Sequence, residues 1–277
     1  MLTPSRSLSL HAESGRELPY VAELGALYSR GFKPRHGQVI MVAGRSGTQK
    51  SGFVLWWTLQ MRLPTLYFSA DMSAFTASSR VASSVSGDPT ETVEARMGTQ
   101  DGQAYYRDRL SEIPLQFSFG SPISWRSVDE EIQAYIELWD RYPEVMVFDN
   151  LMDFENAETD YTEQMQVMSS LTELARETGS TIIVLHHASD KTWEAKTDPW
   201  SPPSRDQIKN GLAEKPEICL SVALDPTTLD YNVAVVKNRM GPQDPTGRQY
   251  AILRCEPAVT RFHEKRYDRY VISAGDE

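Results

Sequence analysis

Between an apolar run at residues 38–43 (QVIMVA) and a second at 53–61 (FVLWWTLQM) lie nine residues, Gly44, Arg45, Ser46, Gly47, Thr48, Gln49, Lys50, Ser51 and Gly52. The first run is short, wholly buried in character and reads as a strand; the second is long enough for a helix. A glycine-bearing loop that leaves a strand and ends in Lys-Ser at a helix start is the setting of a phosphate-binding loop. Its backbone N–H groups and the helix N-terminus cradle phosphate oxygens. Lys50 is then placed to neutralise β- and γ-phosphates, and the Ser51 hydroxyl to ligate Mg²⁺. Gln49 departs from the pattern GxxxxGK[ST], standing where the second glycine belongs. A side chain there crowds the loop or demands unusual backbone angles, with Gly47 offering some compensating freedom. The plainer reading is a glycine-rich turn with an incidental Lys-Ser pair.

Further along, 65–71 (TLYFSAD), 115–119 (LQFSF), 144–149 (EVMVFD) and 181–187 (TIIVLHH) also read as strands. Helices are expected in three stretches between Ser73 and Glu112, from a capping box of Ser127 with Glu130 to about Tyr142, and over 162–178 with Gly179 ending the last. A shorter helix is expected over 24–28, and a polar, proline-bearing stretch runs from 188 to about 216. The pattern then changes: 217–225, 231–239 and 248–256 are spaced like successive antiparallel strands. Alternating strands and helices followed by consecutive strands predict an α/β fold, a mostly parallel twisted sheet flanked by helices with an antiparallel C-terminal extension. The expected organisation is a flexible arm over 1–22, one domain over 23–265 and a tail over 266–277.

Composition narrows the class further. With 40% apolar and 24% charged residues in 277, the chain can build an ordinary folded core. Cys219 and Cys255 stand apart and outside any Cys/His cluster, which leaves no zinc ligand set and points to two buried thiols. The first residues lack the apolar stretch of a signal peptide, and no segment reaches the ~18 apolar residues of a membrane span. A cytoplasmic protein with no membrane partner is expected. The net charge of -10 argues against a protein coated in basic surface, though not against a few basic loops at a channel.

Asp149 ends an apolar strand downstream of Lys50, which suits a carboxylate that holds the water shell of Mg²⁺ opposite Ser51. A strand-ending Asp that caps the next turn is the alternative. Taken with YFSADM (67–72), VMVFDNLMDF (145–154), TIIVLHHASDK (181–191) and VVKNRMGPQDPTG (235–247), the chain resembles the RecA-type motor domain of DnaB-like replicative helicases and RepA-type plasmid helicases. The resemblance implies a RecA-like P-loop NTPase core using ATP and Mg²⁺. It makes Asp71 the residue that polarises the attacking water, where the family carries Glu within FSLEM. Asn150, rather than Glu, after Asp149 favours the RecA class over the AAA+ class. His187 becomes the γ-phosphate sensor and His186 a structural neighbour, since adjacent strand residues face opposite ways. Lys237 and Arg239, two apart and so on one strand face, match the family's KxRxGPxG element. They would reach the neighbouring subunit's nucleotide as an arginine finger in trans; a basic, solvated strand end is the plain alternative.

The resemblance further implies a homo-oligomer, a hexameric ring, with single-stranded DNA in its channel and a helicase loader as a further partner. The loops after 149 and after 187 would line that channel. The first is acidic; the second carries Lys191, Lys196, Arg205 and Lys209 with Trp193 and Trp200, a composition suited to a single strand held by backbone and stacking. A polar loop balanced by its own acids fits too. The short arm leaves no room for a helicase amino-terminal domain or a primase module, so a stripped-down phage or plasmid motor is expected. Two other readings stay open: a RecA/RadA-like recombination ATPase, and a degenerate P-loop regulatory module with weak or no hydrolysis.

Overall fold

Val39, Met41 and Ala43 pack on one side of a sheet, Ile40 and Val42 on the other, and each set belongs to a different apolar cluster. Such period-two partition within an all-apolar run is what a strand covered on both faces requires. The computed structural model describes residues 15–158, 160–189 and 199–265. Its strands are β1 (Val39–Gly44), β2 (Thr65–Ser69), β3 (Leu115–Ser118), β4 (Val145–Asp149), β5 (Thr181–His187), β6 (Ile218–Leu224), β7 (Asp230–Asn238), β8 (Tyr250–Glu256) and β9 (Arg261–Glu264). They form one sheet in the order β3-β2-β4-β5-β1-β6-β7-β8-β9. From β3 to β6 the pairing is parallel, and β7, β8 and β9 continue it antiparallel. This is the expected α/β arrangement, a RecA-like P-loop core.

The helices are α1 (Gly25–Tyr28), α2 (Lys50–Met61), α3 (Ala74–Ser86), α4 (Thr90–Met97), α5 (Gln100–Leu110), α6 (Trp125–Trp139) and α7 (Tyr161–Thr178). Nearly every side chain of α2 is buried, because it lies between the sheet and the segment that carries Leu18, Val21, Leu24 and Leu27. Phe53 is its centre, with ring centroids of Tyr231 at 5.2 Å and Phe262 at 5.3 Å. Truncating such a residue to Ala costs about 3–5 kcal/mol. On the opposite face α6 and α7 cover Met41, Met146, Phe148 and Val184. Among the described residues no helix is long and apolar enough to cross a membrane.

Several expectations need correction. The box that opens α6 is Ser124 with Ser127, one turn earlier than Ser127 with Glu130: the Ser124 hydroxyl accepts from Ser127 N at 3.0 Å, and the Ser127 hydroxyl accepts from Ser124 N at 3.1 Å. Helix α2 begins at Lys50, inside the glycine-bearing loop, rather than at Phe53. The expected helix over 24–28 is a 3₁₀ turn, Ala22–Leu24, leading into the single turn α1. Strand β9 was not foreseen; with four residues and Phe262 its one buried side chain, it has no readable period. Within the proline-bearing stretch two 3₁₀ segments occur, Arg205–Gln207 and Lys209–Glu214. Both cysteines are buried free thiols, pushed up to about 12 by burial.

Candidate active site

Strands β1, β2, β4 and β5 run parallel, so their carboxyl ends open on one edge, where ligands of such sheets bind. Gly44 closes β1 there with no room to spare. A Cβ on it would stand 2.8 Å from Val222 O and 2.8 Å from Thr48 Oγ1, and the first of these is backbone that cannot yield. The loop then turns through Gly47, at φ 73, around which a Cβ would meet open space. Thr48 Oγ1 donates to Arg45 O at 2.8 Å, tying the turn. Arg45 Nη1 in turn donates to Pro199 O at 3.1 Å and Ser201 O at 3.2 Å, joining the loop to the stretch beyond β5.

Gln49 adopts φ 58, ψ 30, the left-handed conformation that the sequence pattern reserves for glycine. Its backbone therefore follows the glycine path with a side chain attached, at a cost of about 1–2 kcal/mol. The side chain folds toward the first turn of α2, where its Oε1 would lie 3.0 Å from a Cβ at Gly52. Lys50 is buried, and its Nζ donates to Arg45 O at 2.8 Å and Gly44 O at 3.1 Å, which places the ammonium over the concave side of the loop.

Asp149 ends β4 with only 3% of its surface exposed. Its Oδ2 accepts from the Tyr67 hydroxyl at 2.9 Å, and the Ser51 hydroxyl is a second hydrogen-bond partner. Burial pushes the Asp149 carboxyl up to about 6, while the bonds from Ser51 and Tyr67 pull it down. The capping of the following turn falls instead to Asn150, whose Oδ1 accepts from Met152 N at 2.8 Å, and to Asp153, whose Oδ2 accepts from Asn150 N at 2.8 Å. Asp71 stands exposed beyond β2, and its Oδ2 accepts from Asn150 Nδ2 at 3.3 Å.

The two histidines at the end of β5 differ as strand alternation demands. His186 is fully buried, more so than the partly buried role foreseen for it, and burial pushes it down to about 4. Its Nε2 donates to Lys209 O at 3.2 Å, while Nδ1 has no hydrogen-bond partner in the described structure. His187 faces the site edge.

A cleft of about 260 Å³ gathers these groups: Ser46, Gly47, Thr48, Gln49, Lys50, Ser51, Asp71, Asp149 and His187 all line it. So does Arg80 of α3, which sequence reasoning passed over. Arg80 is the one charged side chain in the helix AFTASSRVASSVS, and that isolation was the available signal. An adjoining cleft of about 960 Å³ shares Ser46, Asp71, Asn150 and His187 and extends along Asp153, Glu155 and Glu158 to Lys209.

The remaining expected residues lie elsewhere. Lys237 is buried on β7, and its ammonium donates to Glu214 O. Arg239 follows β7 directly, half exposed, with Nη1 3.3 Å from Glu217 Oε1. Neither lines the cleft. Arg205 pairs with Glu214 at 3.2 Å. Lys191, Lys196 and Trp193 fall outside the described residues.

The donor set fits a magnesium-bound nucleoside triphosphate: a loop with no space for a Cβ at Gly44, a buried ammonium on its concave side, and a hydroxyl–carboxylate pair beside it. Fold and cleft together define a P-loop protein of the RecA-like class. The chain belongs to the family of the mycobacteriophage gene 65 proteins. It is 34% identical over 262 residues to the Gene 65 protein of Mycobacterium phage L5, covering 91% of this chain and 95% of the relative. With the Gene 65 protein of Mycobacterium phage D29 it shares 33% over 228 residues, 78% of this chain and 94% of that one. No family model matches. The fold is that of a solved ATPase domain, with TM-score 0.73 at 14% identity over 95% of this chain and 96% of that one. It is also that of a DnaB-like replicative helicase solved for its interactions with primase, with TM-score 0.75 at 14% identity over 96% of this chain and 67% of that one.

Proposed function

We propose that this chain is a Mg²⁺-dependent ATPase of the DnaB-like helicase type, which couples hydrolysis between ring subunits to movement along single-stranded DNA or its unwinding in replication. The observation that carries the reading is the meeting of Lys50, Ser51, Asp71 and Asp149 around one cleft at the carboxyl ends of β1, β2 and β4. Residues from three separate strand ends share that space, and the combination matches what phosphoryl transfer needs.

In this reading the backbone N–H groups from Ser46 to Ser51 hold the phosphates, and Lys50 turns from its carbonyl partners to the β- and γ-oxygens. Ser51 and Asp149 would hold Mg²⁺, which would offset the charge that develops on the phosphate oxygens. Asp71 polarises the attacking water; Asn150, 3.3 Å away, steadies its carboxylate. Because Asp is one methylene shorter than Glu, the water must sit closer to the strand end, and turnover is slow. His187, on the cleft and at the start of the stretch that reaches Lys209, senses the γ-phosphate. Lys237 and Arg239 lie off the cleft of their own subunit, as groups acting on a neighbour's nucleotide must. The histidine pair at the end of β5 further favours the RepA-type subclass. DNA would run along the loops after β4 and β5, with Lys191, Lys196, Arg205 and Lys209 as its cationic contacts.

The test is ATP hydrolysis measured against protein concentration, with and without single-stranded DNA, for the natural chain and Lys50→Ala. The expected result is a rate that climbs faster than linearly with concentration, rises with DNA and disappears in the variant. Absence of both turnover and nucleotide binding by calorimetry sinks the proposal in favour of a regulatory P-loop module. DNA-dependent hydrolysis by open filaments rather than rings in electron micrographs would assign the chain to the recombination ATPases.

A further inference from the structure

The Tyr67–Asp149 bond joins two buried groups on neighbouring strands. In the parallel pairing of β2 with β4, Tyr67 lies opposite Val147, and Ser69 opposite Asp149. The tyrosine thus starts two residues short of the carboxylate on the same sheet face, and its ring spans the difference. That ring is fully buried, wedged in the apolar cluster with Val81 and Val147 and with the Phe117 centroid at 5.4 Å. It has no freedom to swing away. The hydroxyl is the donor of the pair, since an ionised carboxylate offers only acceptors.

We infer that Tyr67 is the positioning residue for the ion-holding carboxylate of this site, fixing Asp149 Oδ2 so that the remaining lone pairs of the carboxylate face Ser51 and the cleft. This rests on the proposed nucleotide site and deepens it, since it concerns how the site recognises a divalent cation. Asp149 is attached by one rotatable Cα–Cβ and one Cβ–Cγ bond, and nothing in its short side chain sets the carboxylate plane. The Ser51 hydroxyl can donate to the carboxylate and still offer a lone pair to the ion, so it is a partner that the carboxylate shares with the ion. Tyr67 serves the carboxylate alone, because it is buried and does not line the cleft. Outer partners of ligating carboxylates govern metal affinity by about 10–100-fold.

The experiment uses a fluorescent ATP analogue titrated against the full chain in EDTA and over a series of MgCl₂ concentrations, for the natural protein, Tyr67→Phe, Asp149→Asn and the double variant. Tyr67→Phe keeps the ring and removes only the donor. It should leave affinity in EDTA unchanged and raise the half-saturating Mg²⁺ concentration about tenfold. Asp149→Asn should remove the Mg²⁺ response, and adding Tyr67→Phe to it should change nothing more, as expected of two groups acting through one bond. Tyr67→Met, unbranched and without a donor, serves as the second variant should Tyr67→Phe not fold, and the same shift is required of it. A natural protein that responds to Mg²⁺ while Tyr67→Phe responds identically overturns the inference and leaves the site reading intact. A lowered melting temperature with an unmoved Mg²⁺ midpoint has the same meaning, a packing role alone. Failure of the natural protein to respond to Mg²⁺ at all overturns both.

Discussion

Arg239 Nη1 lies 3.3 Å from Glu217 Oε1, and the other oxygen of the same carboxylate accepts from Val39 N at 3.0 Å. One glutamate therefore links Arg239, just after β7, to the first residue of β1, the strand that ends in the phosphate loop. Arg239 remains half exposed, and an exposed ion pair of this kind holds it with little energy, about 0–1 kcal/mol. In the proposed ring, a neighbouring subunit's phosphates would draw it away. Arg239→Ala should lower hydrolysis about 10³-fold or more while nucleotide affinity stays unchanged. Mixing Arg239→Ala with Lys50→Ala subunits should restore part of the rate, because some interfaces then combine an intact loop with an intact arginine. No recovery across all mixing ratios would exclude action in trans.

The left-handed backbone at Gln49 leads to a second expectation. Gln49→Gly removes the Cβ penalty and should stabilise the fold by about 1 kcal/mol, after allowing for the greater freedom of glycine in the unfolded chain. For a chain of this size that is a rise of about 2–4 °C in melting temperature. It should also tighten nucleotide binding. Gly44→Ala should do the opposite and lose nucleotide binding, since its Cβ would press on Val222 O at 2.8 Å. Thermal melts and calorimetry of both variants decide.

His186 makes stability depend on pH. It titrates near 4 in the fold, against about 6.5 for a free imidazole. As pH falls below 6.5 the unfolded chain takes up a proton that the buried imidazole refuses, so this group withdraws stability between pH 6.5 and 4 and has no effect above that window. The loss by pH 5 is on the order of 1–2 kcal/mol. Asp149, raised to about 6, acts in the opposite sense over pH 4–6, so the His186 contribution must be read as a difference. Urea unfolding of the natural chain and His186→Gln at pH 7 and pH 5 should show a smaller acid loss in the variant; parallel losses would refute it.

Lys209 lies at the far end of the larger cleft, with its carbonyl held by His186. Lys209→Glu should weaken single-stranded DNA binding and reduce the slope of log affinity against log salt by about 1, leaving nucleotide affinity without DNA as it was. An unaltered salt slope would remove this residue from the DNA path.

How much of this was legible beforehand follows the range of each interaction. The strand–loop–helix around Lys50, the buried strand at Val39–Gly44 and the change from alternating strands and helices to consecutive strands all rest on neighbours close in sequence, and they can be read as patterns. The position of Asp149 at a strand end was legible for the same reason. The capping box was misplaced by one turn because Ser124, Ser127 and Glu130 offer overlapping local patterns, and only the packing of Val128 and Ile132 selects among them.

What the amino-acid order determined by itself was the class of fold and the identity of most residues at its carboxyl edge. What only the tertiary structure decided was which groups meet there from a distance: Tyr67 on Asp149 across 82 positions, Arg80 over the phosphate loop, and Glu217 between Arg239 and β1. Local periodicity follows from backbone geometry and is written into every few residues. A side-chain contact between strands depends on sheet order and register, which no short stretch of chain specifies.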